Sequence, residues 1–510
     1  MNSRNKNLYR ALLLLAFVGI NAAILFGIGA IWVYMNSGAD KASILHLTAG
    51  AEDNYQPRME WEELENEGRP MEQQTLLDIQ KDYLRSWYVR NVAFASNDPY
   101  GLDDYFTDSM RVKLKRILEF NRTSGTTVKQ TTLAHHPKLE FYSSDGKLVV
   151  FTDQDVESFN EVWQGEEKLH TARQINSYRV LMLLEDGFWR IRHFEEIETP
   201  EENISNQSVV SSGNLKDLKG VNYYPAQNPW DTFGVDFNED TIEADFQKIN
   251  QMGLNTVRIF IPYQDFGEAE INEEKLDKLK KVFDLAAEAD LLILVTLFDF
   301  YGDYDLMDWN RTHRHAETII SSFKEHPALL GWDIKNEPDL DFESRGKAGV
   351  LAWLEEMIRQ IKKIDPDHPV TIGWSSANAA NNLAEQLDII SYHFYESPEM
   401  FAPSLSELRS HINNKPVMIS EFGISSYSGI WNAFTGSEED QANYYSKMVS
   451  HFEKDNISFL SWTLYDFENI PVEVVGRFPW RRAPQKSYGI IGNDGRIKPA
   501  YEIMEMTQKK

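Results

Sequence analysis

Leu329-Leu330-Gly331-Trp332-Asp333-Ile334-Lys335-Asn336-Glu337-Pro338 and Pro416-Val417-Met418-Ile419-Ser420-Glu421-Phe422-Gly423 are the two stretches that decide the fold. Each is a short apolar, strand-like run that ends on a carboxylate, Glu337 in the first and Glu421 in the second. Six more runs of the same kind flank them, near Leu218 to Tyr223, Thr256 to Ile261, Leu291 to Leu297, Val370 to Gly373, Ile389 to His393 and Phe459 to Leu464. Helical segments separate them. In Glu273 to Ala289 the residues Leu276, Leu279, Phe283 and Ala286 recur at the 3.6-residue period of a helix packed on a sheet, as do Leu351, Leu354, Ile358 and Ile361 in Val350 to Ile364. Eight strands alternating with helices predict an α/β fold, a (β/α)8 TIM barrel over residues 215–510. The carboxyl ends of all its strands open onto one face, so two acids far apart in sequence meet across one cleft. Paired carboxylates in a cleft are the usual apparatus for cleaving a glycosidic bond, one as proton donor and one as nucleophile or base.

The chain has 510 residues, 42% hydrophobic and 25% charged, with room for more than one domain. A formal net charge of -28 argues against a nucleic-acid partner, because phosphate binding needs clustered Lys and Arg. The absence of cysteine excludes disulfides, thiolate metal sites and cysteine nucleophiles. No cofactor and no metal is expected: strand one offers Asn222-Tyr223 where a metal-dependent barrel hydrolase would carry a His-x-His pair, and His135, His136 and His170 have no regular ligand spacing and read as surface histidines.

From Ala11 to Met35 the chain is apolar but for Asn21, and Arg4, Lys6 and Arg10 precede that run. About 25 residues of helix cross a bilayer, and the positive-inside rule leaves the short tail in the cytoplasm and the remainder outside. A cleaved signal peptide is the alternative, but its apolar core normally runs only about 7 to 15 residues, which favours an uncleaved anchor. Residues 1–36 are therefore read as a tail and one N-terminal transmembrane helix, a single-pass signal anchor with an extracytoplasmic catalytic domain, and 37–73, with Glu60, Glu62, Glu63, Glu65 and Glu67, as an acidic juxtamembrane spacer. Two amphipathic helices, Thr75 to Val92 and Ser109 to Phe120, come next. Two hairpins follow, one around Ser143-Ser144-Asp145-Gly146 and one around Glu185-Asp186-Gly187. Residues 74–197 are thus predicted to form a smaller α+β domain, and the polar stretch 198–214 a linker.

The wording around the two acids resembles the retaining glycoside hydrolases of the (β/α)8 clan that includes family 5 cellulases and mannanases. Asn336-Glu337-Pro338 looks like that family's acid/base after strand four, and Glu421-Phe422-Gly423 like its nucleophile after strand seven. Val257-Arg258-Ile259-Phe260 looks like the strand-two arginine, His393-Phe394-Tyr395 like the His-x-Tyr of strand six and Ser461-Trp462-Thr463 like the strand-eight tryptophan. The resemblance implies catalysis by Glu337 and Glu421, with Arg258 and Tyr395 stabilising the nucleophile, Asn336 bonding the sugar 2-hydroxyl, and His393 and Trp462 lining the site. Each residue alone has a plainer reading as a capping group, a core ion pair or a satisfied imidazole; the five motifs in order favour catalysis. The order of elements before the barrel also looks like the cone-shaped nuclear transport factor 2-like superfamily.

Chemistry then sets an expectation for the acid/base: Glu337 must hold a proton at neutral pH, so its pKa is expected above that of a free carboxylic acid. Trp230, Trp374, Trp431 and Trp480 are further candidate stacking walls, Asp299 and Asp303 candidate hydroxyl binders, and Arg477, Arg481 and Arg482 a basic loop open to a charged glycan. The expected partner is a β-linked glycan. A transglycosylase using the same acids, or a non-hydrolytic glycan-binding or scaffold protein, are the alternatives.

Overall fold

The computed structural model describes residues 55–197, 217–475 and 478–506, together with Asn21. The expected anchor from Ala11 to Met35 (Asn21 apart) and the linker at 198–214 lie outside the described residues; among the described ones no helix is long and apolar enough to cross a membrane.

In the amino-terminal domain the helices Gln73–Ser96 and Asp108–Ser124 pack with a six-stranded sheet: β1 (Arg58–Met59), β2 (Thr126–Thr132), β3 (Ala134–Tyr142), β4 (Leu148–Gln164), β5 (Glu167–Glu185) and β6 (Phe188–Ile197). The turns at Gly146 and Gly187, both at positive φ, join β3 to β4 and β5 to β6 as antiparallel pairs. Glu60, Glu62, Glu63, Glu65 and Glu67 are exposed, but the residues just ahead of them differ from a solvated spacer. Tyr55, Pro57 and Met59 are buried in alternation, and β1 adds in parallel to β3, because an apolar residue at every second position gives the segment one face to bury. His135 also departs from a surface histidine: it is wholly buried, its Nδ1 2.6 Å from Asp153 Oδ2 and its Nε2 2.8 Å from Thr132 Oγ1.

Eight parallel strands close the barrel: β7 (Lys219–Asn222), β8 (Thr256–Pro262), β9 (Leu292–Asp299), β10 (Leu329–Asn336), β11 (Val370–Trp374), β12 (Ile390–Phe394), β13 (Val417–Phe422) and β14 (Ser458–Ser461), which pairs back onto β7. Leu218, Leu294, Leu330, Ile389, Met418 and Leu460 form a separate apolar cluster near the amino ends of the strands. Further along, buried positions turn polar, with Asn222, Arg258, Thr296, Asp333, Thr371 and Ser391 all excluded from solvent. Burying such groups is costly unless they bond one another, so this band must be a network. Outside, the helix Glu273–Glu288 buries Leu279, Val282, Phe283 and Ala286, and Lys347–Ile364 buries Val350, Trp353, Leu354, Met357, Ile358 and Ile361. Asn272 caps the first of these through Lys275 N at 3.1 Å, satisfying an amide the helix cannot.

The sheet and the barrel share one hydrophobic cluster. Leu133 and Phe159 belong to the same buried set as the barrel shell, and Phe159 meets Trp309 edge-on at 5.2 Å.

Candidate active site

Arg258 on β8 organises the carboxyl-terminal mouth of the barrel. Its side chain is fully buried, and five bonds saturate it: Nε and Nη2 donate to Asp333 Oδ2 at 2.9 and 2.6 Å, Nη1 to Glu421 Oε1 at 2.7 Å and Asn222 Oδ1 at 3.1 Å, and Nη2 to Asn336 Oδ1 at 2.9 Å. A guanidinium presents a rigid fork of donors, so one arginine ties the ends of β7, β10 and β13 to its own strand. Burial opposes its charge, yet Asp333 and Glu421 raise its pKa further. Since arginine only donates, Asn336 must turn its Oδ1 inward, and no described residue accepts from its Nδ2.

Asp333 is the residue that sequence reasoning misses. Its Oδ2 also accepts from Thr296 Oγ1 at 2.6 Å, and its Oδ1 from Gly373 N at 2.8 Å, so every bond it makes holds the arginine or a neighbouring strand. A readable signal existed: a carboxylate inside one apolar strand and an arginine inside another must find each other, because neither is tolerated alone in a core.

Glu421 takes Arg258 on one oxygen and the Tyr395 hydroxyl on the other, at 2.6 Å. Register explains its next neighbour, since His393 on β12 pairs directly with Glu421 on β13. The His393 imidazole is buried, with Nδ1 2.8 Å from Glu337 Oε1 and 3.4 Å from Glu421 Oε2. Those two oxygens are therefore separated by no more than the sum of 2.8 and 3.4 Å, about 6.2 Å. Glu337 itself has φ +45° and ψ +49°, a left-handed conformation rare for a residue with a Cβ and met often at functional sites. Its amide donates to Gly373 O at 2.7 Å, which pins the turn that presents the carboxylate.

The expected elevation of the Glu337 pKa is reversed. Burial pushes the carboxyl up, but the hydrogen bond and charge of His393, with Arg258 and Lys335, outweigh it and hold Glu337 below the usual carboxylate range. Burial pushes His393 down, while Glu421 and Glu337 raise it above an ordinary imidazole. Glu337 and His393 thus titrate as a pair that favours carboxylate and imidazolium.

The remaining candidates separate cleanly. Trp462 is half-buried, edge-on to Tyr224 at 5.8 Å and Phe260 at 6.2 Å, in an aromatic group that includes Trp230 and Phe467. Trp374 is completely buried against Phe342 and belongs to the barrel shell, so it is not a stacking wall. Asp299 ends β9 inside the mouth instead of lying in a solvated loop, and burial pushes it up to about 6 against the pull of Lys335 and Arg258. Asp303 instead accepts from Asp305 N at 3.1 Å within its own loop. Trp431, Trp480 and Arg481 are exposed, Arg482 Nη2 is tied to Ile470 O at 2.8 Å, and Arg477 lies outside the described residues.

The barrel has counterparts among known proteins. The family model for Cellulase (glycosyl hydrolase family 5) matches residues 217–468, which contain the whole barrel from β7 to β14. Beta-glucuronidase from Chlorocebus aethiops is 25% identical over 280 residues, covering 50% of this chain and 41% of that protein. Mannan endo-1,4-beta-mannosidase 3 from Arabidopsis thaliana is 23% identical over 238 residues, covering 37% of this chain and 54% of its own length. The chain thus spans about half the length of these curated relatives. A solved structure of GH5_18 from Streptomyces cattleya in complex with Manb1-4GlcNAc aligns with 17% identity and a TM-score of 0.49 over 57% of this chain and 80% of that one. With a closed parallel barrel, two carboxylates around one imidazole and the matching family model, the carboxyl-terminal half of this chain is a family 5-like (β/α)8 glycoside hydrolase domain.

Proposed function

We propose that the protein is a membrane-tethered retaining glycoside hydrolase that cleaves β-linked polysaccharide or oligosaccharide, with Glu337 as acid/base and Glu421 as nucleophile. One observation carries the reading: the facing oxygens of the two acids are at most about 6.2 Å apart. Retention uses carboxyl groups about 5 to 5.5 Å apart, whereas inversion needs about 6.5 to 9.5 Å to admit a water. Glu421 is ion-paired with Arg258 and oriented by the Tyr395 hydroxyl, an arrangement suited to attack on an anomeric carbon. Glu337 draws on the proton it shares with His393, gives it to the departing glycosidic oxygen, and recovers one from the water that opens the glycosyl-enzyme. Asn336 offers its Nδ2 to the sugar 2-hydroxyl, where contacts strengthen in the transition state. Trp462, backed by the buried Tyr224, supplies an apolar wall for a ring face.

Relatives named for β-glucuronide and β-mannan bonds support the β configuration and leave the sugar open. The run from Ala11 to Met35 is the proposed anchor, tested by whether alkaline carbonate releases the protein from membranes.

The test of mechanism is the Glu421→Gly variant on an activated aryl β-glycoside. Its turnover is expected to fall about 10⁴-fold or more and to recover with azide as an azido sugar of inverted configuration. An azide-insensitive variant, or a wild type that releases the inverted anomer, would remove Glu421 from the nucleophile's role.

A further inference from the structure

We propose that Trp431, Phe478 and Trp480 form a second stacking surface, a ledge on the carboxyl-terminal rim that holds sugar units of a glycan chain beyond those between the two carboxylates. This deepens the glycosidase reading and rests on it. The three rings are 45, 53 and 50% exposed, although aromatic side chains of this size normally bury most of their surface. They cluster: Phe478 stacks face to face on Trp480 at 4.6 Å with 15° between the planes, and Trp431 lies 6.1 Å from Trp480 with its plane tilted by 52°. Ile430 and Phe434 beside them are 69 and 70% exposed, and Arg481 adds an exposed guanidinium. So much clustered apolar surface marks a contact site.

Its position identifies the occupant. Trp431 is on the loop that leaves β13 after Phe422, and Phe478 and Trp480 are on the loop leaving β14. The two loops are tied together by Ser425 Oγ donating to Pro484 O at 2.6 Å and Ser426 N donating to Ser487 O at 2.9 Å. Tyr488, next in the chain, packs edge-on at 5.9 Å against Tyr395, whose hydroxyl holds Glu421. The ledge is therefore carried by the same pair of loops that places Tyr488 against the catalytic mouth. The open face of Trp431 and the outer faces of the Phe478–Trp480 stack suit the apolar faces of sugar units, with Arg481 able to donate to their hydroxyls or carboxylates.

The full chain in detergent, wild type and Trp431→Ala/Trp480→Ala, is assayed on 4-nitrophenyl β-mannoside, β-glucoside and β-glucuronide, and on di- to hexasaccharides of mannan and β-glucan. The expected result is unchanged kcat/KM on the aryl glycoside and an unchanged Tm, with kcat/KM on the hexasaccharide reduced about tenfold or more, chiefly through KM. An equal loss on short and long substrates, or no loss on either, overturns the ledge while leaving the hydrolase intact. Binding of the wild type to phosphatidylglycerol/phosphatidylcholine vesicles that the double variant abolishes, without any chain-length effect, reassigns the rings to a lipid surface. Failure of the wild type to cleave any of these substrates defeats the hydrolase reading and the ledge with it.

Discussion

His393 is the residue on which the proposed acid/base chemistry turns, because one imidazole nitrogen touches both carboxylates. In the proposed mechanism the proton needed by the leaving group belongs to the Glu337–His393 pair, not to Glu337 alone. Because His393 is raised, the pair keeps that proton to higher pH than an isolated imidazole would, and acid catalysis fails only as pH rises through the raised value. In His393→Ala, Glu337 loses the partner that depresses it, but as a lone carboxyl it gives up its proton in the carboxylate range. The basic limb of the kcat/KM profile should then move toward acid, and kcat should fall about 10²-fold or more at neutral pH. A variant with the wild-type basic limb would show that the pair does not hold the catalytic proton. The positions of Glu337 and Glu421 at the ends of two barrel strands were legible because short motifs carry them. Their electrostatic balance was not, because the depression of Glu337 comes chiefly from His393 and Arg258, on strands that only the folded register brings near.

At the level of elements, the strands were readable and their contacts only partly so. A run such as Val417-Met418-Ile419 is apolar enough on both faces to be recognised as a barrel strand, whereas β2 and the far half of β4, with Thr126-Thr127-Val128-Lys129-Gln130 and Glu157, look polar and acquire their strand character only from the partners they pair with. Gly373 on β11 shows what a strand position can hide. Its amide bonds Asp333, its carbonyl accepts from Glu337 N, and a Cβ there would stand 2.7 Å from Arg258 Nη2 and 3.2 Å from His393 Nε2. The first contact is closer than real Cβ atoms allow, and Arg258 has no slack with five bonds already made. Gly373→Ala should displace the guanidinium and lower kcat/KM about 10²-fold, the typical cost of an ångström of misplacement, while the circular dichroism spectrum stays native. Wild-type activity in this variant would mean that the arginine network tolerates movement and does not set the site.

For the molecule as a whole, the α+β domain is bound to the barrel by more than a linker. Besides Leu133 and Phe159 in the shared core, Glu157 on β4 is buried and accepts from Arg173 Nε at 2.7 Å within its own sheet and from Arg359 on the barrel helix Lys347–Ile364, with Lys363 Nζ at 3.7 Å. Lys129 on β2 likewise reaches Asp305, in the loop that leaves β9 and Asp299. Burial alone would raise Glu157, but Arg359, Arg173 and Lys363 overcome it and lower its pKa. A carboxylate lowered on folding adds stability above its unfolded pKa, and that stability is lost as pH falls through the folded value. Replacing one partner of a buried pair costs about 3–5 kcal/mol when the other charge is stranded. Here Arg359 keeps its ion pair with Glu356, and Glu356 is relieved of a neighbouring negative charge, so Glu157→Gln should destabilise by about 2 kcal/mol from pH 7 down to about pH 5, and by progressively less only as pH falls below about 4.5 toward the lowered folded value. Urea unfolding of the full chain in detergent, followed by tryptophan fluorescence and far-ultraviolet dichroism, measures both the loss and its coupling. One shared core predicts coincident transitions in the wild type and a lower midpoint for both probes in the variant. Two well-separated wild-type transitions, with Glu157→Gln shifting neither, would make the amino-terminal domain an independent body and the shared core a contact without energetic weight.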